Sequence, residues 1–152
     1  MEKTLFFEDM VAGATAFEFI ADPITRTALV RYAGASGDFN PLHHDETFVS
    51  LFGMPRVIAQ GMLVMGITSR AITDFIGQKN LRSFGVRFSG MTEPVDLNKF
   101  EETKARATLK IVARVAQKDT DSRIVTFDIE TKDLNDSVKL TGTFSAVLPL
   151  KS

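Results

Sequence analysis

The sequence predicts an α+β fold in which one antiparallel sheet curls around a single apolar helix, and three observations predict it. Residues 57–69, between Arg56 and Arg70, carry no charge and read as a helix buried in protein. Beyond Gly77 the hydrophobic pattern switches to a period of two, the mark of strands with one apolar face. Thirteen phenylalanines stand against one tyrosine and no tryptophan, so the core is filled with rings that carry no polar group in need of a partner.

Along the chain, Phe17-Glu18-Phe19 alternates and predicts a short strand. Pro23-Ile24-Thr25 leads into a helix over about 25–35, with Thr25 as its cap. Residues 36–55 hold Gly37, Pro41, Gly53 and Pro55, so they do not form one helix, although 46–52 suit a turn or two. The apolar helix runs over about 60–76 and is closed by Gly77. In the second half, which reads almost wholly as strand, Phe84, Val86 and Phe88 mark the first segment. Ala105, Ala107, Leu109, Ile111, Ala113 and Val115 then face one way against Arg106, Thr108, Lys110 and Arg114. Val125, Phe127 and Ile129 repeat the pattern, and so do Val138, Leu140, Phe144, Ala146 and Leu148 against Lys139, Thr141, Thr143 and Ser145. A sheet with one apolar face needs a cover, and the apolar helix supplies it. That is the physical content of the hot-dog architecture.

Composition narrows the functions. At 152 residues the chain fits one domain, 1–152, able to bury a core without metal or disulfide staples. Eighteen basic residues against nineteen acidic ones leave a formal charge of −1, too little positive field to hold a nucleic acid backbone. The absence of cysteine removes disulfides, thiolate catalysis and cysteine-ligated metal sites together. The uncharged stretch is too short for a bilayer, which needs ~20 residues. Met1-Glu2-Lys3-Thr4 opens with charge and polarity, unlike a signal peptide, and a cytoplasmic location is expected.

The chemistry-bearing stretch is Ser36-Gly37-Asp38-Phe39-Asn40-Pro41-Leu42-His43-His44-Asp45, followed by Gln60-Gly61-Met62 at the start of the apolar helix. On a helix the Asp38–His43 spacing would set the two side chains about 140° apart. Gly37 and Pro41 break the helix, so a bent loop can turn both into one site. A carboxylate and an imidazole around one water can take a proton from it and return one elsewhere. The same residues also suit a plain turn with local hydrogen bonds, and spacing alone does not choose. Gly61, at a helix N-terminus with free N–H groups and a partial positive charge, suits an oxygen that gains charge; it equally suits close helix packing. His44 reads as an exposed loop residue, and two adjacent histidines without spaced carboxylates do not make a metal site. Met54, Met62, Met65 and Met91 read as core or pocket lining. Arg82, Arg87, Lys99 and Lys104 read as solvated charges that could also meet the phosphates of a ligand.

This motif, in order, spacing and helix context, resembles the MaoC-like hydratase family, which includes (R)-specific enoyl-CoA hydratases and hydroxyacyl-ACP dehydratases. The likeness covers about residues 9–148. It implies that Asp38 and His43 share a catalytic water, that Asn40 orders their loop, and that Gly61 receives the thioester carbonyl. It also implies a polar part near the site for Ser69. Gln60 stands where the family usually has histidine; it keeps hydrogen bonding but not titration, and is expected to prop the loop. Pro94-Val95 runs into Asp96-Leu97-Asn98, closer to short-chain dehydratase subunits than to hydratases.

The resemblance therefore implies a hydro-lyase that interconverts trans-2-enoyl and (R)-3-hydroxyacyl thioesters. No cofactor is expected beyond the substrate's carrier, coenzyme A or acyl carrier protein. A homodimer is expected, or a heterodimer with a sister hot-dog subunit, because an unpaired sheet edge seeks a partner. Two other readings stand: a non-catalytic subunit of a heterodimeric dehydratase, and a hot-dog thioesterase that would direct water to C1.

Overall fold

Five strands form one antiparallel sheet in the order β1-β3-β4-β5-β2, with β1 at Thr15–Ile20, β2 at Leu81–Phe88, β3 at Leu109–Asp119, β4 at Ile124–Asp133 and β5 at Val138–Val147. Four helices accompany it: α1 (Arg26–Ser36), α2 (Glu46–Ser50), α3 (Gly61–Ile76) and α4 (Phe100–Ala107). The computed structural model describes residues 5–151. The N-terminal residues read above for targeting lie outside these. Among the described residues no helix is long and apolar enough to cross a membrane.

α1 begins where the sequence places it. The Thr25 hydroxyl accepts the Ala28 N–H at 3.1 Å, and Gly37 ends the helix at φ 74°. α3 is the apolar helix and stops at Gly77. Its Val64, Thr68, Ala71, Ile72 and Ile76 are buried with the inward faces of β3, β4 and β5. The phenylalanines fill the core only in part: Phe127 and Phe144 are buried and stack at 4.5 Å between ring centroids, with Phe75 edge-on to Phe127 at 6.4 Å, whereas Phe39, Phe52, Phe88 and Phe100 are exposed. Removing the Phe127 ring would cost about 3–5 kcal/mol. One buried polar contact crosses this interface, between the Thr68 and Thr131 hydroxyls at 2.8 Å.

Three expectations need correction. The helix is not apolar all round: Met62, Gly66, Arg70 and Asp74 form an exposed stripe at helical spacing. Ala105 and Ala107 belong to α4, not to a strand. Glu101 and Glu102 in its first turn and Lys104 and Arg106 in its last complement the helix dipole, and alanine favours helix; the alternation there is coincidental. Lys139, assigned to the polar face, is buried. In the sheet Phe127 stands opposite Phe144 and Phe88 opposite Leu140. That last pairing brings the end of β2 beside the start of β5.

Candidate active site

Polar side chains of the motif shape the loop after α1 through short local bonds. The Ser36 hydroxyl donates to Tyr32 O and accepts from Asp38 N at 3.2 Å. Asp38 Oδ1 accepts from Asn40 N at 3.3 Å, and Asn40 Oδ1 accepts from Leu42 N at 3.1 Å. Asn40 thereby caps the single 3-10 turn Pro41–His43, in which Pro41 needs no hydrogen-bond donor. Asp45 caps α2 by accepting from Phe48 N at 3.0 Å. These bonds realise the plain turn reading. They also leave Asp38 Oδ2 free of the loop backbone.

That oxygen faces His43 Nε2 at 3.5 Å. The other ring nitrogen, Nδ1, lies 2.8 Å from Ile58 O. A carbonyl only accepts, so Nδ1 carries a proton and donates, and in the neutral form of the ring Nε2 is left as an acceptor facing Asp38. In that form the two atoms are both acceptors and do not bond each other directly. A water beside them can donate one proton to each. Burial divides the roles: His43 is 11% exposed and held, whereas Asp38 is 44% exposed and open to solvent.

Ile58 joins this loop to the helix terminus. Its N–H donates to Leu42 O at 3.1 Å while its carbonyl holds His43, and Ala59 N donates to Thr92 O at 2.7 Å on the opposite side. Gln60 follows, 1% exposed, with Nε2 donating to Leu29 O at 3.3 Å and Oε1 without a partner. Gly61 opens α3, and its N–H, in the first turn, has no intrahelical acceptor. A Cβ on Gly61 would stand 3.3 Å from the Phe88 ring, so the close-packing reading also holds. A cavity of about 160 Å³ lies here, lined by His43, Gly61, Val64, Phe88, Met91 and Lys139 among others.

The structure thus brings Asp38 to His43 on the loop that Asn40 caps, and places His43 on one cavity with Gly61, which Gln60 directly precedes. Ser69 lies two turns along α3, partly buried and outside that cavity lining. Met62 and Met91 are exposed rather than core, and Met91 joins the lining. His44 is exposed, as expected, with Nε2 3.1 Å from Phe39 O. Sequence reasoning missed the Ile58 carbonyl, Lys139 and the loop after β2. A carbonyl leaves no mark in a residue string; Lys139, a lone cation in an apolar strand, left a faint one. A wider depression of about 860 Å³ at the other end of α3, lined by Phe75, Gly77, Arg82 and Arg123 among others, contains none of the expected residues. Among the described residues no three histidine or carboxylate side chains converge as a metal site would need.

Fold and site together define a class: an α+β hot-dog protein in which a carboxylate–imidazole pair and a helix N-terminus adjoin one small cavity. The chain belongs to the MaoC like domain family, which its residues 12–128 match. It is 31% identical over 120 residues to the fatty acid synthase beta subunit pkiC of Emericella nidulans, covering 73% of this chain and 6% of that protein. It is 30% identical over 100 residues to the enoyl-CoA hydratase ChsH3 of Mycobacterium tuberculosis, covering 62% of this chain and 33% of that one. The chain thus spans a third or less of these curated relatives. The R-hydratase PhaJ1 of Pseudomonas aeruginosa shares the fold, with a TM-score of 0.79 over 97% of this chain and 88% of that one at 21% identity.

Proposed function

We propose that the chain catalyses the reversible addition of water to trans-2-enoyl thioesters, giving (R)-3-hydroxyacyl thioesters, through one water held between Asp38 and His43. The observation that carries this reading is the commitment of His43 Nδ1–H to Ile58 O, which leaves Nε2 and Asp38 Oδ2 as two acceptors 3.5 Å apart. A water donating to both is oriented and polarised. In hydration its oxygen bonds to C3 and one of its protons passes to the pair. The C2–C3 π electrons move toward the thioester carbonyl, whose oxygen gains enolate charge near the Gly61 N–H. A proton from the pair then reaches C2, so one water is added with no change of redox state. Dehydration reverses each step.

Gln60 supports the helix entry and takes no proton, since an amide does not titrate near neutrality. Asn40 orders the loop, and Ser69 takes a lesser part as a polar contact further along α3. No cofactor is required beyond the carrier of the acyl group. β1 and β2 are edge strands, so edge pairing into a homodimer or with a sister subunit fits the sheet. The names of the hydratase relatives support the reading. The test is loss of enoyl absorbance when the purified chain meets crotonyl-CoA. Hydration is expected; release of free thiol without hydration would favour a thioesterase, and neither would favour a non-catalytic subunit.

A further inference from the structure

Lys139 is the residue that the period-two pattern places in solvent and the structure places inside. β5 carries a bulge there: Thr131 pairs with Leu140 and Lys132 with Val138, so Lys139 is the extra residue. A bulge re-aims a side chain. Lys139 turns inward to Asp133, with the two side chains 8% and 4% exposed. An ammonium has three donors, and all three are used: Asp133 Oδ2 and Met91 O at 3.0 Å each, and Ser137 Oγ at 3.1 Å. Asp133 Oδ1 in turn accepts from Asn135 N at 2.9 Å and Ser137 N at 3.0 Å. Lys139 lines the cavity, yet no donor remains for a substrate.

What the pair holds is the chain leaving β2. Ser89 N and Gly90 N donate to Lys139 O at 3.0 and 3.2 Å. A Cβ on Gly90 would stand 2.3 Å from Val138 O, so only glycine passes there. The Lys139 ammonium then takes Met91 O, and Ala59 N takes Thr92 O. The backbone at Met91 and Thr92 is thus held by two bonds, and the Met91 side chain, largely exposed, shares the cavity lining with His43 and Phe88. An apolar pair of similar size would join the strands as well as a buried ion pair does. It could not hold a carbonyl. The cavity, about 160 Å³, is also well below the ~300–1,000 Å³ of an ordinary ligand site.

Resting on the thioester reading above, we propose that Lys139 and Asp133 are positioning residues that fix Met91 as a wall of the acyl cavity and so confine the chain to short acyl groups. The experiment compares kcat/KM for crotonyl-CoA and trans-2-octenoyl-CoA in four proteins. These are the wild type, Asp133→Asn/Lys139→Met, Met91→Ala, and the three substitutions combined. The Asp133→Asn change keeps an oxygen to serve Asn135 N and Ser137 N, so the turn survives while the tether to Met91 goes. The wild type should prefer crotonyl-CoA. The paired variant and Met91→Ala should each raise the octenoyl-to-crotonyl ratio by at least ~10-fold, the scale of pocket discrimination between chain lengths. The combined variant should add little, because both changes act through one wall. A paired variant that melts earlier but keeps the wild-type ratio would overturn the proposal, leaving the pair purely structural. So would an unchanged ratio in Met91→Ala, which leaves the ion pair intact and reads out even where the paired variant does not fold. Absence of hydration of either thioester by the wild type overturns the thioester reading itself, and this inference with it.

Discussion

Two carboxylate–nitrogen pairs sit beside the same cavity, and they differ in how fully their hydrogen bonds are used. Asp133 and Lys139 meet at 3.0 Å, are nearly fully buried, and have every lysine donor taken. Asp38 and His43 stand 3.5 Å apart, with Asp38 44% exposed and its Oδ2 given to no backbone donor. The closed pair has nothing left with which to meet a ligand. The open pair has a carboxylate oxygen given to no backbone donor and a ring nitrogen facing it, on a side chain that reaches solvent. Full satisfaction suits the clamp proposed for the first pair; slack suits the reactive role proposed for the second. Both are held by the same short segments, since Ile58 carries the His43 ring and Ala59 carries the Thr92 end of the clamped loop.

The largest expected effect tests the open pair. Asp38→Asn and His43→Ala should each lower turnover with crotonyl-CoA by at least ~100-fold, as loss of a positioned acid or base does. Neither should shift the urea unfolding midpoint appreciably. Near-normal turnover in either would remove the reactive half of the contrast. Asp133→Ala should do the reverse to the fold: it leaves the Lys139 charge buried and unpaired, so unfolding free energy should fall by ~3–5 kcal/mol. A loss no larger than that of Asp38→Asn would mean that the two pairs do not differ as described.

Smaller effects sharpen the boundary between them. Gly61→Ala keeps the N–H but pushes a Cβ to 3.3 Å from the Phe88 ring; a displacement of a few tenths of an ångström should cost about 10-fold in kcat/KM. Restoration by an added Phe88→Ala would trace the loss to packing, and persistence would trace it to the approach of the substrate oxygen. Gln60→His should alter activity by only a few-fold and leave the pH–rate profile governed by the same groups. A switch from inactivity to hydration on that change would make the wild-type chain a non-catalytic subunit. Ser69→Ala, outside the cavity lining, should change kcat/KM by less than about threefold.

Much of this was legible in the residue string, because the decisive signals are local. Thr25 and Gly37 bracket α1, Gly77 stops α3, and β4 and the apolar side of β5 follow period two as written. The Asp38–His43 motif was legible for the same reason: glycine and proline forbid a helix there, and Ser36, Asp38 and Asn40 each bond a backbone group two residues on. Local chemistry also explains the misreading at Ala105 and Ala107. Alternation there mimicked a strand, while charge placement and alanine propensity, summed over eight residues, made a helix.

Which atoms meet across the chain was settled in three dimensions alone. The His43 tautomer depends on a carbonyl fifteen residues away, and a backbone oxygen is identical in every residue, so no side-chain pattern announces it. Lys139 was misplaced because a bulge adds one residue to one strand and leaves the neighbours Lys139 and Leu140 both buried, which a strict period of two cannot encode. The loop that carries Met91 is likewise bonded at distance, Met91 O accepting from Lys139 and Thr92 O from Ala59. Local patterning wrote the elements and the reactive residue types; long-range hydrogen bonds, which depend on register and not on composition, set their geometry.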